Sequence, residues 1–152
     1  MNPGSSEAQQ DGRTRPRIVV GVDGSPSSME ALRWAAAQAR LSDAVLEVVH
    51  ARFARNVVSE MIEGAEADEL SILERAITEA RKVEPTIEVV GRITDPPAAE
   101  GLVDASRDAE LLVVGSRGLG GFKELTLGSV SDQCSHHAHC PIVIIRPHST
   151  EA

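Results

Sequence analysis

Apolar positions along the chain follow two alternating spacings. Short aliphatic runs, mostly β-branched, recur between longer stretches whose apolar residues return every three or four positions. The first pattern suits strands buried on both faces, the second helices with one buried stripe. Residues 18–22 (Ile-Val-Val-Gly-Val) form the first run, which breaks at the turn composition Asp23-Gly24-Ser25-Pro26. Leu32, Ala35, Ala36 and Ala39 then repeat at helical spacing; Pro26 and a Ser27/Glu30 capping box mark the start, and the end falls near Leu41. Residues 44–51 read as a second strand, 52–60 as a surface loop, and 62–83 as a long helix with Leu70, Leu73, Ile77 and Ala80 on its inner stripe. Pro85 stops that helix, and 86–90 read as a third strand. Asp95-Pro96-Pro97 introduces a helix over 98–107 with Leu102 and Val103 inward, followed by a fourth strand at 110–114, a helix at 130–138 and a fifth strand at 141–145.

Strands alternating with helices require crossover connections, so the predicted fold class is α/β with a parallel sheet and helices on both faces. Ligands of such sheets sit outside the carboxyl ends of the strands, where the strand order reverses. The first and fourth strands end in unusual residues, and their loops form one pocket if these strands are neighbours. Strand order is not readable from the residues alone.

Composition narrows the functional classes. Aromatic residues make up 2% of the chain (Trp34, Phe53 and Phe122), so the core is aliphatic and no base-stacking platform is available. A net charge of −8 likewise opposes a grip on a nucleic-acid backbone. No apolar run approaches the roughly 20 residues of a membrane helix, and two cysteines suit a reducing compartment, so a cytoplasmic protein with no membrane or nucleic-acid partner is expected. Residues 1–16 are polar and rich in Gly, Ser, Gln and Arg, the composition of a disordered tail; one domain over 17–148 and a short tail at 149–152 complete the expected organisation.

The candidate chemistry lies in 115–131, Gly-Ser-Arg-Gly-Leu-Gly-Gly-Phe-Lys-Glu-Leu-Thr-Leu-Gly-Ser-Val-Ser, between the fourth strand and the last helix. A chain that leaves a strand at glycine and enters a helix at Gly-Ser presents backbone N–H groups at the positive end of the helix dipole, an anion site. Ser129 is the expected N-cap, and the Ser129 and Ser131 hydroxyls can donate to phosphate. The Walker pattern fails because Lys123 is followed by Glu124, and the dinucleotide fingerprint fails because Lys123 stands where its third glycine belongs. What remains is Gly115, two residues, Gly118, nine residues, then Gly128-Ser129.

That spacing resembles the ATP-binding signature of the universal stress protein family. Ile-Val-Val-Gly-Val-Asp-Gly-Ser in the first strand, Val-Val-His-Ala ending the second, and His-His-Ala-His-Cys-Pro-Ile-Val-Ile-Ile-Arg-Pro near the end extend the resemblance over about 17–147. It implies a Rossmann-like five-stranded sheet in order 3-2-1-4-5, which makes the first and fourth strands neighbours. The implied nucleotide-binding residues are Val22 and Asp23 at the first strand's end, Ala51 near adenine, Gly115, Arg117 and Gly118 in the ribose and phosphate loop, and Gly128, Ser129, Val130 and Ser131 around the phosphates. The implied ligand is ATP, accompanied by Mg2+ because Arg117 and Lys123 are the only cations of the loop. A homodimer through the last strand, Ile142–Ile145, and a regulatory or signalling role in stress response are also implied. Cyclic AMP, which some members bind, and a nucleotide-independent interaction module are the alternatives.

No residue stands out as a base that would activate water, so no catalytic residue is assigned and slow ATP hydrolysis stays open. Cys134, His136, His137, His139 and Cys140 are spaced like a zinc set, yet they span a helix end and a strand start, so few could converge on one metal. No metal is assigned to them. Asp23 suits an Asx turn as well as a ligand contact, and His50 reads as structural.

Overall fold

A computed structural model describes residues 15–53, 64–117 and 127–147, apart from the side chains of 65–67. Nine elements alternate along it: β1 (Arg17–Gly21), α1 (Pro26–Ser42), β2 (Val45–Ala51), α2 (Ala65–Val83), β3 (Val89–Thr94), α3 (Ala98–Ala105), β4 (Leu111–Gly115), α4 (Ser129–His137) and β5 (Ile142–Ile145). The strands form one parallel sheet in the order β3-β2-β1-β4-β5, as the family resemblance implies. No described helix is long and apolar enough to cross a membrane.

Two apolar layers hold the sheet. On one face Val20, Leu46, Val48 and Val113 pack beneath Ala31, Leu32, Ala35 and Ala39 of α1 and Leu73, Ala76 and Ala80 of α2. Alanines at the contact let the α1 backbone lie close to the β-branched strands, which is how an aliphatic core closes with few aromatic residues. On the other face Val19, Val49, Leu112 and Val114 pack beneath Leu102 and Ala105 of α3 and Cys134 of α4. Helices α1 and α4 therefore lie on opposite faces, and the strands that feed them, β1 and β4, are neighbours. This is the point of reversal at which an open parallel sheet binds ligands.

Three local readings of α1, α2 and β3 need correction. The α1 cap is Ser25 rather than Ser27: Pro26 occupies the first helical turn, where a missing N–H costs nothing, and the Ser25 hydroxyl accepts from the Ser28 N–H at 3.2 Å. In α2 the inward row is Glu69, Leu73, Ala76 and Ala80, leaving Leu70 48% exposed; Glu69 turns inward because its Oε1 accepts the Phe53 N–H at 2.7 Å. The third strand runs through Val89–Thr94, later than 86–90, in register from Leu46↔Val89 to Ala51↔Thr94. It is an edge strand with exposed Gly91 and Arg92, so its second half lacks the apolar run by which the inner strands are recognised. The expected loop at 52–60 lies mostly outside the described residues, as do the two tails.

Candidate functional site

The first loop is built by short-range bonding. The Val22 N–H extends the ladder to the Val49 carbonyl at 2.9 Å, and His50 Nδ1 lies 2.9 Å from the Val22 carbonyl. A carbonyl only accepts, so Nδ1 carries the proton and the ring pins the end of β1 from within the core, where His50 is fully buried. Asp23 Oδ1 accepts the Ser25 N–H at 2.9 Å, an Asx turn, and Gly24 takes φ +85°, a value suited to glycine. Ser28 closes the loop: its Oγ accepts the Asp23 N–H at 3.3 Å and donates to the Ser25 carbonyl at 3.0 Å. Val22 is buried and Asp23 half-buried at the mouth of this turn.

The second loop begins at Gly115, and α1 explains why glycine stands there. A Cβ at 115 would lie 2.5 Å from Ser27 Oγ and 2.9 Å from the Ser27 carbonyl carbon and oxygen. The first turn of α1 thus rests directly on the end of β4 and sets the spacing between the two loops. Beyond it Ser116, 3% exposed, ties three elements together. Its N–H donates to the Ile145 carbonyl of β5 at 2.9 Å, while its own carbonyl accepts the Gly128 N–H at 2.6 Å and the Ser131 hydroxyl at 3.2 Å.

Gly128, in extended conformation, is the N-cap of α4, so Ser129 is the first helical residue instead of the cap. A glycine has no side chain with which to satisfy the first-turn donors, and no side-chain cap bond forms there. The N–H groups of Ser129, Val130 and Ser131 therefore emerge at the positive end of the helix without a side-chain acceptor among the described residues. Ser129 is exposed and keeps its hydroxyl at the surface. The Ser131 hydroxyl is turned inward to the Ser116 carbonyl and, at 3.0 Å, to the Gly128 carbonyl, so what Ser131 offers a ligand is its backbone.

The structure thus brings Val22 and Asp23 alongside Gly115, and Gly128 to Ser131 onto Ser116. Ala51, half-buried at the end of β2, stands on the other side of β1. Arg117 is half-buried at the start of the loop and already has an interaction. Gly118 and Lys123 lie outside the described residues. Two residues escaped the sequence reading: Ser116, because its role depends on β4, β5 and α4 meeting, and Arg146, because only the strand order places it beside the loop after β4. A cleft between α3 and α4, lined by Ala99, Glu100, Val103, Asp104, Gln133 and His137, contains none of these residues and sits away from the point of reversal.

The Cys/His segment is dispersed. Cys134 is buried under the sheet, where burial pushes its thiol up to about 11. Cys140 is half-buried and also raised, by burial against the opposing pull of Arg17. His136 lies 3.6 Å from Asp132 one turn back, and the His139 N–H is bound to Ser106 Oγ at 2.9 Å. Among the described residues no group of three or more His, Cys, Asp or Glu side chains is placed to hold a metal ion.

Comparison with known proteins agrees with this architecture. Among solved structures, a universal stress protein in complex with cAMP is 28% identical with a TM-score of 0.70, covering 87% of this chain and 97% of that one. The UspA protein of Lactobacillus plantarum shares the fold at a TM-score of 0.74 and 20% identity, covering 88% of this chain and 100% of its own. Universal stress protein Rv2623 of Mycobacterium tuberculosis is 35% identical over 159 residues, which cover 89% of this chain and 51% of the relative. The chain spans about half the length of the curated relatives it matches. With the family model for universal stress proteins matching residues 14–146 as well, the chain belongs to the universal stress protein family.

Proposed function

We propose that this chain binds an adenine nucleotide at the carboxyl edge between β1 and β4, that ATP is its working ligand, and that the complex serves a regulatory role in stress response. The observation that carries the proposal is the N-terminus of α4, which no side chain caps among the described residues and which is tied through Ser116 to the end of β4, the neighbour of β1. Uncapped N–H groups at a helix start favour phosphate. Magnesium enters with the phosphates: a chain of charge −8 offers little neutralisation of its own, and the metal supplies it. A second reading, cyclic AMP, is supported by the ligand of the 28% identical neighbour.

Calorimetric titration with ATP and Mg2+, AMP and cyclic AMP tests both. Saturable binding of ATP at one per chain, tighter than that of cyclic AMP, is the expected result. The reverse order favours the second reading, and silence towards every nucleotide at millimolar concentration leaves only an interaction module.

The two sheet edges differ. The β3 edge exposes Gly91 and Arg92, whereas all four β5 residues, Ile-Val-Ile-Ile, are half-buried and uncharged. Charge on an edge discourages pairing and its absence permits it, so a homodimer through Ile142–Ile145 forms part of the proposal.

A further inference from the structure

A phosphate chain bound at this edge has a far end, and the sheet order places a residue to meet it. The nucleoside end of the proposed ligand belongs to β1 and β2, with Asp23 and Ala51, and its first phosphate to the start of α4 beyond β4. Neighbouring strands lie about 4.8 Å apart, so a ligand stretched from β2 to β4 spans roughly 10 Å, and each added phosphate carries it towards β5. The residue waiting there is Arg146.

Its placement follows from the register. Ile145 pairs with Gly115, and its carbonyl accepts the Ser116 N–H at 2.9 Å, so Arg146 follows directly on the strand end that abuts the phosphate loop. Ile142 and Ile144 pack on the sheet face that carries α4, and Ile145 on the opposite face. Residue 146 continues the alternation onto the α4 side. Arg146 is exposed and pairs with no carboxylate among the described residues, although the chain carries 23 acidic residues against 15 basic ones. Arg33, Arg40, Arg52 and Arg107 are each held by a carboxylate, and Arg117 is already engaged.

We infer that Arg146, resting on the nucleotide reading above, is the cation that recognises the phosphates beyond the first, so that it sets the preference for di- and triphosphates over monophosphates. A guanidinium suits that role, because it stays charged and can give two parallel N–H donors to one phosphate.

The test is titration of the intact chain with AMP, ADP and ATP at fixed ionic strength, using wild type, Arg146→Ala, Arg146→Lys and, as a charge control away from the site, Arg81→Ala. Arg146→Ala is expected to lower ATP affinity about tenfold, the scale of one charge-assisted hydrogen bond, while AMP affinity stays within about twofold. Arg146→Lys should recover part of the ATP affinity, and Arg81→Ala none of the effect. Equal loss for AMP and ATP, no loss for ATP, or the same loss in Arg81→Ala each overturns the inference. A wild type that binds no adenine nucleotide overturns the nucleotide reading itself, an outcome visible before any variant is compared. Arg146 has no carboxylate partner among the described residues, so an unchanged melting temperature should accompany the change.

Discussion

Ser27 and Gly115 meet where the backbones of α1 and β4 touch, and the pair shows how a signature glycine can be required without touching a ligand. Gly115→Ala places a methyl carbon 2.9 Å from Ser27 backbone atoms, which cannot rotate away, so a loss of about 1–3 kcal/mol is expected in urea unfolding with the m-value unchanged. An unaltered midpoint would show that the contact is soft. Ser27→Ala behaves oppositely. The buried Ser27 hydroxyl has no hydrogen-bond partner among the described residues, so its removal should be neutral or slightly stabilising in the same assay. Ser25, two residues earlier, does cap the helix, and Ser25→Ala should cost about 1 kcal/mol. Sequence alone assigned the cap to Ser27 because Ser27 and Glu30 fit a capping box. The competing signal, Pro26 as the first helical residue, was present but weaker as a pattern than as a structure.

Among the elements, legibility tracked burial. The inner strands β1, β2 and β4 were readable to within a residue because strands buried on both faces must be apolar throughout. Strand β3 was misplaced because one edge and much of one face are free of such demands, and Gly91 and Arg92 interrupt its run. Gly91 is itself informative: a Cβ there would lie 2.6 Å from Ile77 Cδ1, so α2 approaches β3 over a missing side chain. Helix α4 was readable as a helix, but its cap was not, since Gly128 and Ser129 are both acceptable caps and only the extended Gly128, whose carbonyl accepts the Asp132 N–H at 2.9 Å, decides between them. The same helix carries Cys134, fully buried, with its thiol raised to about 11 from 9.0. A folded value above the unfolded one means that the native state holds its proton more tightly. The associated stability is complete below about pH 9 and is lost as pH rises towards about 11, by about 2–3 kcal/mol. The chain contains no tyrosine, which keeps this window clear of phenol titration. Denaturant midpoints should fall across it in wild type and less steeply in Cys134→Ala; equal slopes would mean that the thiol does not report the loss.

For the whole molecule, the family resemblance and the sheet order converge on the same edge: the order 3-2-1-4-5 puts the Asp23 turn and the start of α4 together, which no local pattern could do. If the β5 edge joins two copies, Val143→Lys should halve the mass measured by light scattering while leaving the circular dichroism spectrum intact, and an unchanged mass would place the contact elsewhere. The bonds that gather on Ser116 bear on how such a protein can diversify. Because Gly128 returns to the Ser116 carbonyl, the chain between them is closed at its base by contacts that do not depend on its own residues. Lengthening a closed loop costs only about 0.6 kcal/mol for each doubling. The frame of β4, β5 and the start of α4 is thus held by bonds of Ser116, Gly128 and Ser131, so new specificities can be tried by substitution within 119–126 while the sheet beneath stays unaltered.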